Sequence, residues 1–208
     1  NVLAYLKEME RIAAPKATDR FTQLFEFTFD LSVHDIFLCW AAGGTLVVPS
    51  REQLLAPAAF VRANAITCWF AVPSMALLMD RMRTLKPGAM PSLRFSAFCG
   101  EPLPVDLVRK WSDAAPNSRL LNLYGPTEAT IAITAHEWDS KEERAHVGIV
   151  SIGKPFPSAQ GAVLNEAGVG TEEGELWLVG PQVAEGYWQA PEQTEQAFQF
   201  LPSDPNAR

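Results

Sequence analysis

Apolar residues recur along this chain with two different periods, and the stretches that carry them alternate. Val2, Leu6, Met9 and Ala13 fall at helical spacing behind Asn1, a residue suited to an N-cap, and the Pro15 region ends the stretch. Phe21, Phe25, Phe27 and Phe29 share one parity, which predicts a strand with one strongly apolar face over residues 21–29. A helix over 32–42 is stopped by Gly43 and Gly44, and TLVVP at 45–49 reads as a short buried strand. The alternation continues with a helix at 57–65, a strand at 66–72, a helix at 74–83 opened by Pro73, and a strand at 93–99. A helix at 104–115 with Pro in its first turn and a strand at 119–124 follow. Strands and helices alternating through short connections predict an α/β fold, a mostly parallel sheet flanked by helices. Beyond about Asp139 the helical period is lost. SKEER reads as a charged linker, and short β-rich runs between Gly, Pro and Glu turns predict a small antiparallel, barrel-like lobe to about residue 190, then a short acidic helix from Pro191. The expected division is 1–143 for the α/β part and 144–208 for the β-rich part and the start of a linker.

Composition narrows the function. With 208 residues, 48% of them hydrophobic and 20% charged, the chain can bury one good core or two small ones. Its longest apolar runs are strand-sized, short of the roughly 20 residues of a membrane span, and no signal-peptide zones open it, so a cytoplasmic protein is expected. Seventeen basic against 24 acidic residues give a net charge of −7, and basic residues never cluster beyond a pair, which argues against a nucleic-acid surface. Cys39, Cys68 and Cys99 sit in apolar stretches at irregular spacing, as reduced buried thiols do. A helical pattern starting at Asn1 and a Pro-rich end, FLPSDPNAR, read as a piece of a longer chain.

Three strings carry candidate chemistry. In NLYGPTEATI, 122–131, a strand ends in Gly-Pro followed by a hydroxyl, a carboxylate and another hydroxyl. Ligands of open α/β sheets bind at that edge, although a plain turn with Thr127 and Glu128 solvated gives the same local pattern. In FCGEPLP, 98–104, Gly100 joins a strand to a helix and permits close backbone approach. In FTFDLSVHDIF, 27–37, Asp30 stands where an apolar strand meets a helix, as an N-cap or as the partner of a buried cation.

Together these strings resemble the signatures of adenylate-forming ligases, and FDLSVHDIF and FCGEPLP are especially like D-alanine–carrier-protein ligases and other amino-acid adenylation enzymes. GELWLVGPQVAEGYW, 174–188, resembles the β-lobe motif of the same family. The resemblance covers nearly the whole chain and implies part of the large N-terminal domain of an ATP-dependent, AMP-forming ligase. It implies that Asn122 bonds the adenine amino group and Tyr124 stacks on the base, with Gly100, Glu101 and Pro102 wrapping it beside Gly125. Thr127 would touch the α-phosphate and Glu128 would hold Mg²⁺, the two acting as the catalytic pair. Asp30 would pair with the α-ammonium of an amino acid whose side chain lies among Leu31, His34, Ala71, Ala97, Cys99, Leu123, Ile131 and Ala132. A core histidine is an equal reading of His34, and His136 and His146 match nothing in the family. ATP, Mg²⁺, an amino acid and a phosphopantetheinyl carrier protein are the implied cofactors and partners, with no nucleic acid and no membrane. An acyl- or aryl-CoA ligase, which does not need Asp30, and a non-catalytic nucleotide-binding domain are the rival readings. The family's phosphate loop is expected before Asn1, and its ribose-binding Asp and catalytic Lys after Arg208, so the 208 residues alone are expected to form little adenylate.

Overall fold

The computed structural model describes residues 1–139, 145–146, 148–200 and 202. In chain order the first half holds α1 (Val2–Ala13), β1 (Arg20–Thr22), α2 (Leu31–Ala41), β2 (Thr45–Val47), α3 (Arg51–Leu54), α4 (Pro57–Ala63), β3 (Cys68–Ala71) and α5 (Pro73–Arg81). Next come β4 (Phe95–Phe98), α6 (Val105–Ala114), β5 (Arg119–Tyr124), a 3₁₀ turn at Thr127–Ala129 and β6 (Thr134–Glu137). The short strands β7 (Ala145–His146), β8 (Ile149–Val150) and β9 (Lys154–Pro155) precede β10 (Gln160–Leu164), β11 (Glu175–Val179) and α7 (Pro191–Ala197).

Seven strands form one sheet in the order β2-β1-β3-β4-β5-β6-β9. The first five are parallel, and β6 and β9 add antiparallel to that edge. Side chains alternate between the two faces of each strand, so the parallel strands bury both. Trp69 and Ala71 of β3 enter a core with Met79 of α5 and Trp111 of α6, whereas Cys68 and Phe70 enter one with Met9 of α1 and Leu38 of α2. Helices on both faces of a mostly parallel sheet are what the alternating pattern predicts, and β10 and β11 pair separately as an antiparallel ribbon.

Two expectations are corrected. Residues 21–29 are not one strand: the ladder ends with Gln23 N–H donating to Val47 O at 3.1 Å, and a turn from Glu26 to Phe29 replaces it. Phe25 packs on Phe70, with centroids 5.2 Å apart, while Phe27 and Phe29 are 81% and 58% exposed. The shared parity therefore reflects no common face. The strand at 45–49 is not buried either, because β2 lies at the sheet edge with a neighbour on one side only, and Val48 is exposed. Within the expected β-rich part, β9 joins the seven-stranded sheet. The SKEER linker lies outside the described residues.

Candidate active site

The parallel strands point their carboxyl ends at a cavity of about 540 Å³. Its wall is built from the residues that leave those strands: 24–26 after β1, Ala71 and Val72 at the end of β3, 99–101 after β4 and 125–127 after β5. Phe29, Asp30, Leu31, Met75 and Ile131 complete it. Each strand end is a break in backbone pairing, and the polar groups freed there are free to meet a ligand.

The turn after β5 is held in an unusual shape. A Cβ on Gly125 would stand 2.6 Å from Ala132 Cα and 2.9 Å from Ile133 N, so only glycine lets the two sides of the turn approach. Thr130 and Ile131 follow at φ 58° and 69°, both β-branched in the left-handed region. That geometry aims the Ile131 N–H at Asp30 Oδ2, 3.2 Å away. Asp30 sits at the N-cap of α2 with φ −62° and ψ −23°, and its side chain makes no capping bond. Its carboxylate therefore belongs to the cavity wall, where it meets a backbone amide across 101 residues of sequence. The Cys99 thiol beside it lies 3.7 Å from Ile131 O, and burial pushes its pKa up to about 12, so it is a neutral wall group.

Of the residues proposed from sequence, Asp30, Leu31, Ala71, Cys99, Gly100, Glu101, Gly125, Thr127 and Ile131 line this cavity together. Others stand elsewhere. His34 is buried in the core, its Nδ1 2.7 Å from the Tyr5 hydroxyl and its ring 4.2 Å from that of Phe70. Burial lowers its pKa to about 3, which leaves a neutral imidazole with a structural bond. Ala97, Leu123 and Ala132 are likewise packed in the core between the sheet and α1 and α2. Asn122 is buried and donates from Nδ2 to the carbonyls of Val150 and Ser151 at 3.3 and 3.0 Å. Tyr124 is partly exposed at the end of β5, and Pro102 is exposed beyond the cavity-lining turn. The Glu101 carboxylate accepts from Ser74 N at 2.8 Å and Ser74 Oγ at 3.0 Å, capping α5 from the cavity rim. Gly100 has φ 91°, so the strand-to-helix turn needs its missing side chain.

Glu128 is engaged by the chain that follows β11. The Tyr187 hydroxyl donates to its carboxylate, and Ala184 N donates to its backbone carbonyl at 2.7 Å. The same carboxyl borders a smaller cavity of about 210 Å³ shared with β11 and α7. Among the described residues no three His, Cys, Asp or Glu side chains converge on a common point. A single carboxylate fits Mg²⁺, which takes one or two protein oxygens and leaves its other positions to phosphates and water. Sequence reading missed Tyr187 and Gln182, although both lie in the GPQVAEGYW string, because nothing in that string says which turn it packs against.

A crevice of this kind, at the carboxyl edge of a mostly parallel sheet, marks an α/β protein that binds a small molecule between its strand ends. Residues 1–188 match the AMP-binding enzyme family, and the chain belongs to it. It is 33% identical over 181 residues to a D-alanine–D-alanyl carrier protein ligase of Bacillus cereus (strain G9842), covering 84% of this chain and 36% of that protein. Among solved structures, the Vibrio cholerae adenylation domain AlmE in complex with glycyl-adenosine-5′-phosphate matches with a TM-score of 0.84 and 36% identity, over 93% of this chain and 38% of that one. IdnL7 matches with a TM-score of 0.89 and 36% identity, over 98% and 41% of the two chains. The chain spans about a third of the length of the curated relatives it matches.

Proposed function

We propose that the full-length gene product activates an amino acid with ATP, forming an aminoacyl-adenylate and pyrophosphate, and passes the acyl group to the phosphopantetheine thiol of a carrier protein. One observation carries this reading: Asp30 leaves its helix uncapped and presents a carboxylate in the wall of an otherwise largely apolar cavity. A desolvated ammonium needs such a partner, whereas the carboxylate penalises a fatty or aromatic acid there, which disfavours a CoA ligase. The similarity to carrier-protein ligases, and to an adenylation domain holding a glycyl-adenylate, supports the same substrate class.

In this reading Asp30 orients the amino acid, while the strand-end turns at Gly100–Pro102 and Asn122–Gly125 receive adenine, with Tyr124 offering a ring face. The substrate carboxylate oxygen forms a bond to the α-phosphorus of ATP, and the bond to the bridging oxygen breaks, its electron pair leaving with pyrophosphate. Thr127 steadies the α-phosphate, and the chain's part is chiefly positioning and electrostatics. Mg²⁺, held by Glu128, would neutralise phosphate charge. Residues 1–143 then form the substrate and adenine part and 144–208 a β-rich part. The compartment proposed is the cytoplasm, and no described helix is long and apolar enough to cross a membrane.

Asp30→Asn tests the reading. Asn keeps an oxygen for Ile131 N–H, so stability should hold, while loss of the charge partner should lower amino-acid kcat/KM by about ten- to a hundredfold, or about 1.5–3 kcal/mol. KM for ATP should not move. Pyrophosphate exchange with an amino acid and its des-amino analogue reads the outcome, and an undiminished preference for the amino acid would rule the reading out.

A further inference from the structure

The left-handed pair Thr130–Ile131 is held by one buried side chain that lies some fifty residues further on. Gln182 is wholly buried, and its Nε2 donates to Ala132 O at 2.7 Å, Ala129 O at 3.2 Å and Thr130 O at 3.4 Å. In return, Thr130 Oγ1 donates to Gln182 O at 2.6 Å. Three carbonyls converging on one amide admit only its NH₂ end, so the side chain is locked. The remaining carbonyl of the turn, that of Ile131, faces the Cys99 thiol, and the Ile131 N–H is the one that meets Asp30. Two consecutive β-branched residues at positive φ persist only where their surroundings over-determine them, and here the Gln182 amide joins the turn's own backbone bonds, such as Ala132 N–H to Thr130 O at 2.8 Å, in supplying that constraint.

We propose that Gln182 is a positioning residue for Asp30. By fixing the turn it aims the Ile131 N–H at Oδ2, and this sets the rotamer in which the carboxylate faces the cavity. The proposal rests on Asp30 being the partner of the substrate ammonium, and it adds that the partner's aim is set from the segment after β11. A shift of the amide by an ångström or less would turn the carboxylate away from a bound ammonium, a loss felt in positioning rather than in folding.

The test uses the full-length gene product with Gln182→Met, which keeps the volume of the side chain and removes its donors. The expected result is a KM for the amino acid raised about tenfold, a KM for ATP within about twofold of wild type, and a weaker preference for the amino acid over its des-amino analogue. Combined with Asp30→Asn, Gln182→Met should add nothing to the loss of preference, since it acts through Asp30. A purely structural glutamine would instead lower Tm and leave the preference intact, and that outcome overturns the proposal. If Asp30→Asn loses the preference and Gln182→Met does not, this inference alone fails; if neither loses it, the reading of Asp30 fails first. Should Gln182→Met not fold, Gln182→Asn, an amide withdrawn by one carbon, is expected to show the same weakened preference. An unchanged preference there, or failure of both variants to fold, also overturns it, because the proposal holds that the fold tolerates the loss.

Discussion

Glu128 illustrates how a single side chain can be separated from the fold that carries it. Its carboxylate accepts from the Tyr187 hydroxyl, and that bond, ahead of burial, raises the phenol's pKa, so Tyr187 remains a donor at neutral pH. Glu128→Gln leaves an amide oxygen in the same place for the same donor. The melting temperature should therefore stay within about 2 °C of wild type, in line with the small effects of substitutions outside the core. Pyrophosphate exchange should fall by at least about tenfold, because a neutral amide is a poor ligand for a hard cation. Normal exchange with a large drop in Tm would show that the carboxylate serves folding. Asp30 was legible in sequence as a carboxylate where a strand was expected to meet a helix, and Glu128 as one in a Gly-Pro turn at a strand's end. Their pairing with Ile131 and Tyr187 was not, since a contact across 101 or 59 residues leaves no mark on local periodicity. His34 had two readings for the same reason, and its Nδ1 meets the Tyr5 hydroxyl, 29 residues away, in the core.

At the scale of elements, the turn joining β5 to β6 governs whether the cavity wall closes. Tyr124 faces Thr134 across that antiparallel pair, and Ile133 N–H donates to Tyr124 O at 2.8 Å. Gly125→Ala places a methyl 2.6 Å from the Ala132 Cα, which is backbone and cannot swing aside. We expect a loss of about 1–3 kcal/mol, the usual range for forcing atoms into a packed site, and a larger proportional loss of exchange activity as Thr127 and Ile131 move apart. Thermal unfolding alongside exchange assays checks this, and an unchanged Tm would mean that the turn opens freely. Elements of this length are where pattern reading succeeds or fails. α1, α2, α4, α5, α6, β3, β4 and β5 announced themselves because they bury enough side chains to repeat a period, whereas α3, four residues with none buried, did not. β9, with two residues, repeats nothing, and the phenylalanines after β1 share a parity although Phe25 packs on Phe70 while Phe27 and Phe29 are exposed.

Across the whole molecule the two edges of the parallel sheet divide labour: the carboxyl edge holds the cavity, and the amino edge is clasped by charge. Asp19 accepts from Lys16 N at 2.7 Å, from Thr67 Oγ1 at 2.8 Å and from Arg94 Nε at 2.7 Å, and Arg94 also donates to Ala13 O and Ala14 O at the end of α1. The clasp thus ties α1 to the entries of β1, β3 and β4. Burial alone would raise the Asp19 pKa, but the bonds from Arg94, Thr67 and Lys16 outweigh it and hold the group below its ordinary value. A depressed carboxylate contributes stability above its unfolded pKa of about 3.9 and loses it as pH falls through the folded value. Asp35 has the opposite sign: burial in α2 raises its pKa well above the ordinary carboxylate value, which favours the neutral acid in the fold. Its contribution is complete below about pH 3.9 and declines as pH rises, because the unfolded chain then gains by ionising. At pH 7, Asp19→Asn should cost about 3 kcal/mol, the lower end for breaking a buried pair because 26% of the Arg94 side chain meets water, and the deficit should shrink as pH falls below about 4. Asp35→Asn should instead gain on wild type as pH rises above about 4. Melting temperatures of the three proteins between pH 3 and 8 read both trends at once, and curves that run parallel would refute both the ionised Asp19 and the raised Asp35.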